Sequence, residues 1–187
     1  MVNVITRQYE LLSSLRQPLV QRVGDGSIIT RFEKTPTPVA PTDVVCPHFL
    51  ELKWATGCPY DCAWCYLKGT LRFAPNKASP YFKDLGKIEQ HVNAFLTEVD
   101  WCQELLNAGE LADSLMAENN GHSFSEFILS LFSKQDKHKV LLVTKSKHIH
   151  NLLRNNYQNH AIVSFSLNAE PVATEFEKGA PSVAERI

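Results

Sequence analysis

From His48 onward, short apolar runs and amphipathic segments take turns along the chain. Phe49-Leu50-Glu51-Leu52-Lys53-Trp54-Ala55 has the length and composition of a strand, and beyond a cysteine-bearing loop a helix is predicted over about 86–99. A second strand is predicted at 104–108 and a second helix at 123–133, where Ser123 and Glu126 have the spacing of a capping box. Lys139-Val140-Leu141-Leu142-Val143-Thr144 is the clearest strand in the chain, followed by a helix over about 147–155. Ala161 to Leu167 reads as a fourth strand, and Ala180 to Ile187 as the start of a fourth helix, with Pro181 tolerated in its first turn.

Strands and helices in alternation imply parallel βα units joined by right-handed crossovers, so the fold class is α/β. About four such units do not close a barrel. The expectation is a partial parallel (βα) barrel that stops as its fourth helix begins, either because the chain is a fragment or partial gene product or because another element covers the edge after the fourth strand.

Residues 1 to 45 mix short apolar runs with Thr35-Pro36-Thr37-Pro38 and Pro41-Thr42, whose prolines block both helix and central strand. This stretch is expected to be an extension leading into a domain over 46–187. With 19 basic and 20 acidic residues the net charge is −1, which argues against a uniformly cationic nucleic-acid binder while leaving room for a local basic cleft. No run reaches the roughly 20 apolar residues of a membrane span, and the first residues lack the apolar core of a secretory signal, so a cytoplasmic protein with no membrane partner is expected.

Three of the five cysteines, Cys58, Cys62 and Cys65, fall in one short loop directly after the first predicted strand. An odd count and this clustering suit metal ligation in a reducing compartment better than a disulfide framework. Three thiolates at these spacings can hold one metal centre and leave its fourth position free of a protein ligand. On a 4Fe-4S cluster, an iron with such an open site can chelate the amino and carboxylate groups of S-adenosylmethionine and pass an electron to its sulfonium, yielding a 5′-deoxyadenosyl radical. The other readings of the loop are a zinc-stabilised, non-catalytic binding module, with Cys46, His48 or Cys102 as fourth ligand, and three unrelated thiols. Trp64, an aromatic residue just before the third cysteine, completes a pattern similar to that of radical SAM proteins. His138, His148, His150 and His160 show no ligand spacing and are expected at the surface or in packing.

Trp54-Ala55-Thr56-Gly57-Cys58-Pro59-Tyr60-Asp61-Cys62-Ala63-Trp64-Cys65-Tyr66-Leu67 resembles the cluster loop of the spore photoproduct lyase family, and the likeness continues through Val143-Thr144-Lys145, Phe165-Ser166-Leu167-Asn168 and Phe176-Glu177-Lys178-Gly179-Ala180-Pro181-Ser182 to Arg186. It covers roughly residues 45 to 187. Family members are nearly twice as long and form a partial six-unit barrel, which implies that the last two units are missing here. The resemblance implies that Cys58, Cys62 and Cys65 ligate the cluster, that Lys145 and Ser166 contact S-adenosylmethionine, and that Asp113 stands near it, although Ala112 replaces a serine. Tyr66 matches a tyrosine of the lyase's radical relay, and Trp64 replaces a second one, where it can pack on cluster or cofactor.

Where the lyase carries a cysteine that donates a hydrogen atom to the product radical, this chain has Gly109 and Glu110. A Gly-Glu pair at a second-strand end is similar to the radical SAM motif whose carboxylate binds the amino group of the methionine moiety. Cys102 precedes that strand and is expected to be a buried small hydrophobe. The resemblance thus implies an enzyme of the lyase-like branch that abstracts hydrogen from a substrate the sequence does not specify, served by a reductant such as flavodoxin or ferredoxin. Repair of a thymine dimer in DNA is one alternative, and an inactive fragment is another.

Overall fold

Lys139–Thr144, the strand most evident in the sequence, lies in the parallel half of a seven-stranded sheet, with parallel neighbours on both sides. The computed structural model describes residues 2–10, 16–32, 49–70, 79–118, 123–154 and 159–187. These form β1 (Val4–Glu10), β2 (Arg16–Val23), β3 (Ile29–Arg31), β4 (Leu50–Leu52), β5 (Ala55–Thr56), β6 (Asp61–Cys62), α1 (Leu67–Thr70), β7 (Tyr81–Phe82) and α2 (Leu85–Glu98). There follow β8 (Leu105–Asn107), α3 (Phe124–Phe132), β9 (Lys139–Thr144), α4 (His150–Arg154), β10 (Ala161–Phe165), α5 (Glu170–Phe176), β11 (Glu177–Lys178) and α6 (Val183–Arg186).

The sheet order is β1-β2-β3-β4-β8-β9-β10, antiparallel from β1 to β4 and parallel from β4 to β10. It is a mixed α/β sheet that stays open, its described edges being β1 and β10. Part of the stretch expected as an extension therefore supplies three strands to the same sheet. The proline-rich run that prompted that expectation, together with Cys46 and His48, lies outside the described residues. A further difference is α5 with β11, which the sequence reading passed over between the fourth strand and the last helix.

Two helices show how local sequence sets the packing. Asp84 caps α2 by accepting from the Lys87 N–H at 2.7 Å, and Ile88, His91, Val92 and Phe95 then fall on one buried face at helical spacing. Ser123 caps α3 as expected, accepting from the Glu126 N–H at 3.1 Å. The second anchor of that end is the buried Glu118, whose carboxylate accepts from the Ser125 N–H, from both serine hydroxyls and from Asn151 on α4. Leu50, Leu106, Val140 and Leu142 join Ile88, Phe95, Ile128 and Phe132 in one core, all of them fully buried. The register places Glu51, Asn107, Leu141 and Ile162 together on the opposite face.

The antiparallel strands are tied to the parallel ones by a buried ion pair. Arg31 on β3 reaches past β4 to Glu104 at 2.5 Å and also donates to the Val20 carbonyl at 2.8 Å. Next to Glu104 the buried His138 accepts the Glu104 N–H on Nδ1, so Nε2 carries the proton and donates to the Val99 carbonyl at 2.8 Å. Cys102 is buried beside the same carboxylate, in the packing role expected of it.

Burial, aided by the charge of Lys137 and opposed by the Val99 carbonyl, holds His138 below the usual 6.5. Below that pH the unfolded chain takes up a proton that the folded chain refuses, so stability is full above 6.5 and falls with pH until the folded value is reached. Urea unfolding between about pH 7.5 and 5.5 should show a loss approaching 1.4 kcal/mol per pH unit from this residue, and His138→Gln should remove that share of the slope.

Candidate active site

The cysteine loop leaves the sheet through Gly57, whose φ of +94° lies in the left-handed region and whose N–H donates to the Leu111 carbonyl at 2.9 Å. Behind it Trp54 is buried, stacked on Phe124 with ring centroids 4.0 Å apart and donating to the Ala108 carbonyl. The loop is then clamped from the far end of the chain. β6 pairs with β11, placing Cys62 opposite Glu177, and the Ala63 N–H donates to the Phe176 carbonyl at 2.7 Å. Cys65 closes a turn on the Cys62 carbonyl and leads into α1.

Cys58, Cys62 and Cys65 are free thiols that line one cleft of about 290 Å³. The same cleft is lined by Trp64, Tyr66, Glu110, Asp113, Lys145 and Ser166, so these six residues and the three loop cysteines meet in one place at the carboxyl ends of the parallel strands, whereas Cys102 does not line it. Among the described residues, no three Cys, His, Asp or Glu side chains are grouped closely enough to hold a metal ion. The donor chemistry nonetheless fits an iron–sulfur cluster: three thiols are carried by one short loop, and among the described residues no other cysteine or histidine lines the cleft. Burial pushes Cys58 up to about 11 and raises Cys62 as well, so a thiolate at either position requires a cation beside it.

Across the cleft the polar residues are bonded to one another. Lys145 Nζ donates to Ser166 Oγ at 2.5 Å and pairs with Glu177 Oε1 at 2.9 Å. Asp113 is buried, and its oxygens accept from the Leu115 N–H at 3.0 Å, the Thr144 hydroxyl at 2.7 Å and the Lys145 N–H at 2.6 Å. It braces the end of β9 against the loop after β8. Burial raises its pKa against the pull of those donors. Glu110 is held by Asn107 Nδ2 at 3.1 Å, and Tyr66 Oη, which lies on the Glu110 carbonyl, is also 3.1 Å from its carboxylate. Trp64 is exposed at the lip, its ring 5.6 Å from that of Phe176.

Glu177 is the residue the sequence reading left without a role. Its side chain is fully buried and also takes Arg186 Nη1 at 2.7 Å and Asn168 Nδ2 at 2.6 Å. Burial alone would raise its pKa, and Lys145, Arg186 and Asn168 together hold it below the usual carboxylate range. Gly109 is explained by close approach: a Cβ there would lie 2.6 Å from Cβ of Val143, so β8 and β9 can meet at the cleft floor only if position 109 has no side chain. Gly109→Ala should cost about 1–3 kcal/mol in urea unfolding, whereas Gly69→Ala, which meets nothing within 4 Å, should cost nothing measurable.

The sequence profile described as spore photoproduct lyase matches residues 49–187. Spore photoproduct lyase of Bacillus subtilis (strain 168) is 26% identical over 139 residues, an alignment that covers 73% of this chain and 39% of that protein. Among solved structures, spore photoproduct lyase complexed with dinucleoside spore photoproduct superposes with a TM-score of 0.64 at 25% identity, over 73% of this chain and 39% of that one. A double variant of the lyase with bound AdoMet and the same dinucleoside superposes with a TM-score of 0.63 at 24% identity, over 75% of this chain and 40% of the other. The chain thus spans about two fifths of the length of these relatives, and over residues 49–187 it belongs to the spore photoproduct lyase family.

Proposed function

We propose that this chain carries the radical-generating part of a radical SAM enzyme, in which Cys58, Cys62 and Cys65 hold a 4Fe-4S cluster and the cleft beside them binds S-adenosylmethionine. The observation that carries this reading is that one cleft gathers the three thiols with Lys145, Ser166 and Glu110, which come from three different strand ends. When bound, the cluster supplies one electron to the sulfonium of S-adenosylmethionine, giving a 5′-deoxyadenosyl radical that abstracts hydrogen from the substrate. Lys145 is the cation for the cofactor carboxylate and Glu110 the anion for its amino group. Asp113 acts through the backbone of Lys145, and Trp64 covers the mouth of the cleft. The electron comes from an external one-electron donor such as flavodoxin or ferredoxin, and the open sheet corresponds to the first part of a partial barrel.

The family match favours a DNA photoproduct as substrate, and that is the second reading. The cleft itself argues for another hydrogen-return route than the lyase's. Position 109 has no room for a side chain, and Glu110 is engaged by Asn107 and Tyr66. Tyr66 is then the nearest hydroxyl to that strand end, and we assign it the relay role that the resemblance implies.

The test is anaerobic reconstitution with iron and sulfide, followed by reduction in the presence of S-adenosylmethionine. The reading predicts a brown protein that forms 5′-deoxyadenosine, and loss of both colour and product when any of Cys58, Cys62 or Cys65 is changed to Ala. A colourless protein that retains zinc would contradict it. Adding dinucleoside spore photoproduct to the same assay separates the two substrate readings: release of thymidine supports repair, and unchanged dinucleoside with continued 5′-deoxyadenosine formation supports another substrate.

A further inference from the structure

We infer that Glu177 is the positioning residue for Lys145, and that it aims the lysine's remaining N–H donor at a carboxylate bound in the cleft. The inference rests on the reading that the cleft takes S-adenosylmethionine. A lysine at a strand end has a long, flexible stem and no fixed aim of its own. Here its ammonium is held at two points, by Glu177 Oε1 at 2.9 Å and Ser166 Oγ at 2.5 Å. An ammonium has three N–H donors, so one is left over. Among the described residues no protein acceptor takes it, and Lys145 lines the cleft.

Glu177 is suited to this task because it does not depend on Lys145 alone. Arg186, itself buried, gives it a second cation at 2.7 Å and is in turn fixed by the Pro181 and Ser166 carbonyls. Asn168 adds a neutral donor at 2.6 Å. When a ligand carboxylate draws charge from Lys145, Glu177 keeps a partner and its geometry. The backbone of the same residue pairs with Cys62, so the lysine's anchor and one thiol are set by one strand. The other charged groups facing Lys145 are Asp113, whose oxygens are taken by the Lys145, Leu115 and Thr144 donors, and Glu110 across the cleft.

The test compares binding of S-adenosylmethionine with that of its decarboxylated analogue to the anaerobically reconstituted 187-residue chain. Any chelation of the carboxylate by iron is common to every variant and cancels in the comparison. Wild type is expected to prefer the carboxylate-bearing ligand, and Glu177→Gln to lower that preference about tenfold. Glu177→Asp keeps the charge Arg186 needs while drawing the oxygen away from Lys145 by one methylene; it should fold normally and lower the preference in the same direction. A purely structural role would weaken both ligands alike. An unchanged preference in both variants overturns the positioning role and leaves the cofactor reading standing. Absence of any preference in wild type overturns the cofactor reading and the inference with it.

Discussion

A single buried carboxylate organises the site. Removing Glu177 from water is expensive, several kcal/mol for an uncompensated ion, and the structure offsets this only where β9, β10 and α6 all bring donors to it. Lys145 follows β9, Asn168 follows β10 and Arg186 belongs to α6. Because the Glu177 backbone also pairs with Cys62, the requirement to satisfy one acid fixes the cysteine loop against the strand ends. Glu177 keeps a partner if one of these contacts is lost, whereas loss of Glu177 itself would strand the buried Arg186 without its carboxylate.

The two faces of the sheet divide the work. One is covered by α2 and α3 and filled with Leu50, Leu106, Val140 and Leu142. The other presents Glu51 and Asn107 beneath the cleft, and Asn107 in turn holds both Gly109 N–H and Glu110. Close packing at Gly109 draws β8 against β9 there, so that Glu110 and Lys145 emerge on the walls of one cleft. The shape of the cleft therefore depends on a contact that a single methyl group would disturb.

Much of this was legible in the sequence where a signal is local. Lys139–Thr144 alternates buried and half-buried positions, and Ser123 caps α3, both as the pattern implied. The cysteine spacing marked the loop. What could not be read is held by long-range partners: Glu118 took over the anchoring expected of Glu126, and Glu177 meets Lys145 from 32 positions away (177 − 145 = 32). Asp113, expected near the cofactor, turns its oxygens toward β9 as a brace, a posture set by Thr144 and the Lys145 backbone from 31 and 32 positions away. The three N-terminal strands were masked by the prolines around them, of which Pro18 sits within β2 opposite Gln8 without interrupting the pairing with β1.

The most direct measurement is an anaerobic crystal structure of the reconstituted chain with S-adenosylmethionine. The account predicts an iron–sulfur cluster on Cys58, Cys62 and Cys65, with the cofactor carboxylate hydrogen-bonded to Lys145 while Glu177 still holds that lysine between itself and Arg186. A zinc ion on the thiols, or a cofactor whose carboxylate lies away from Lys145, would contradict it.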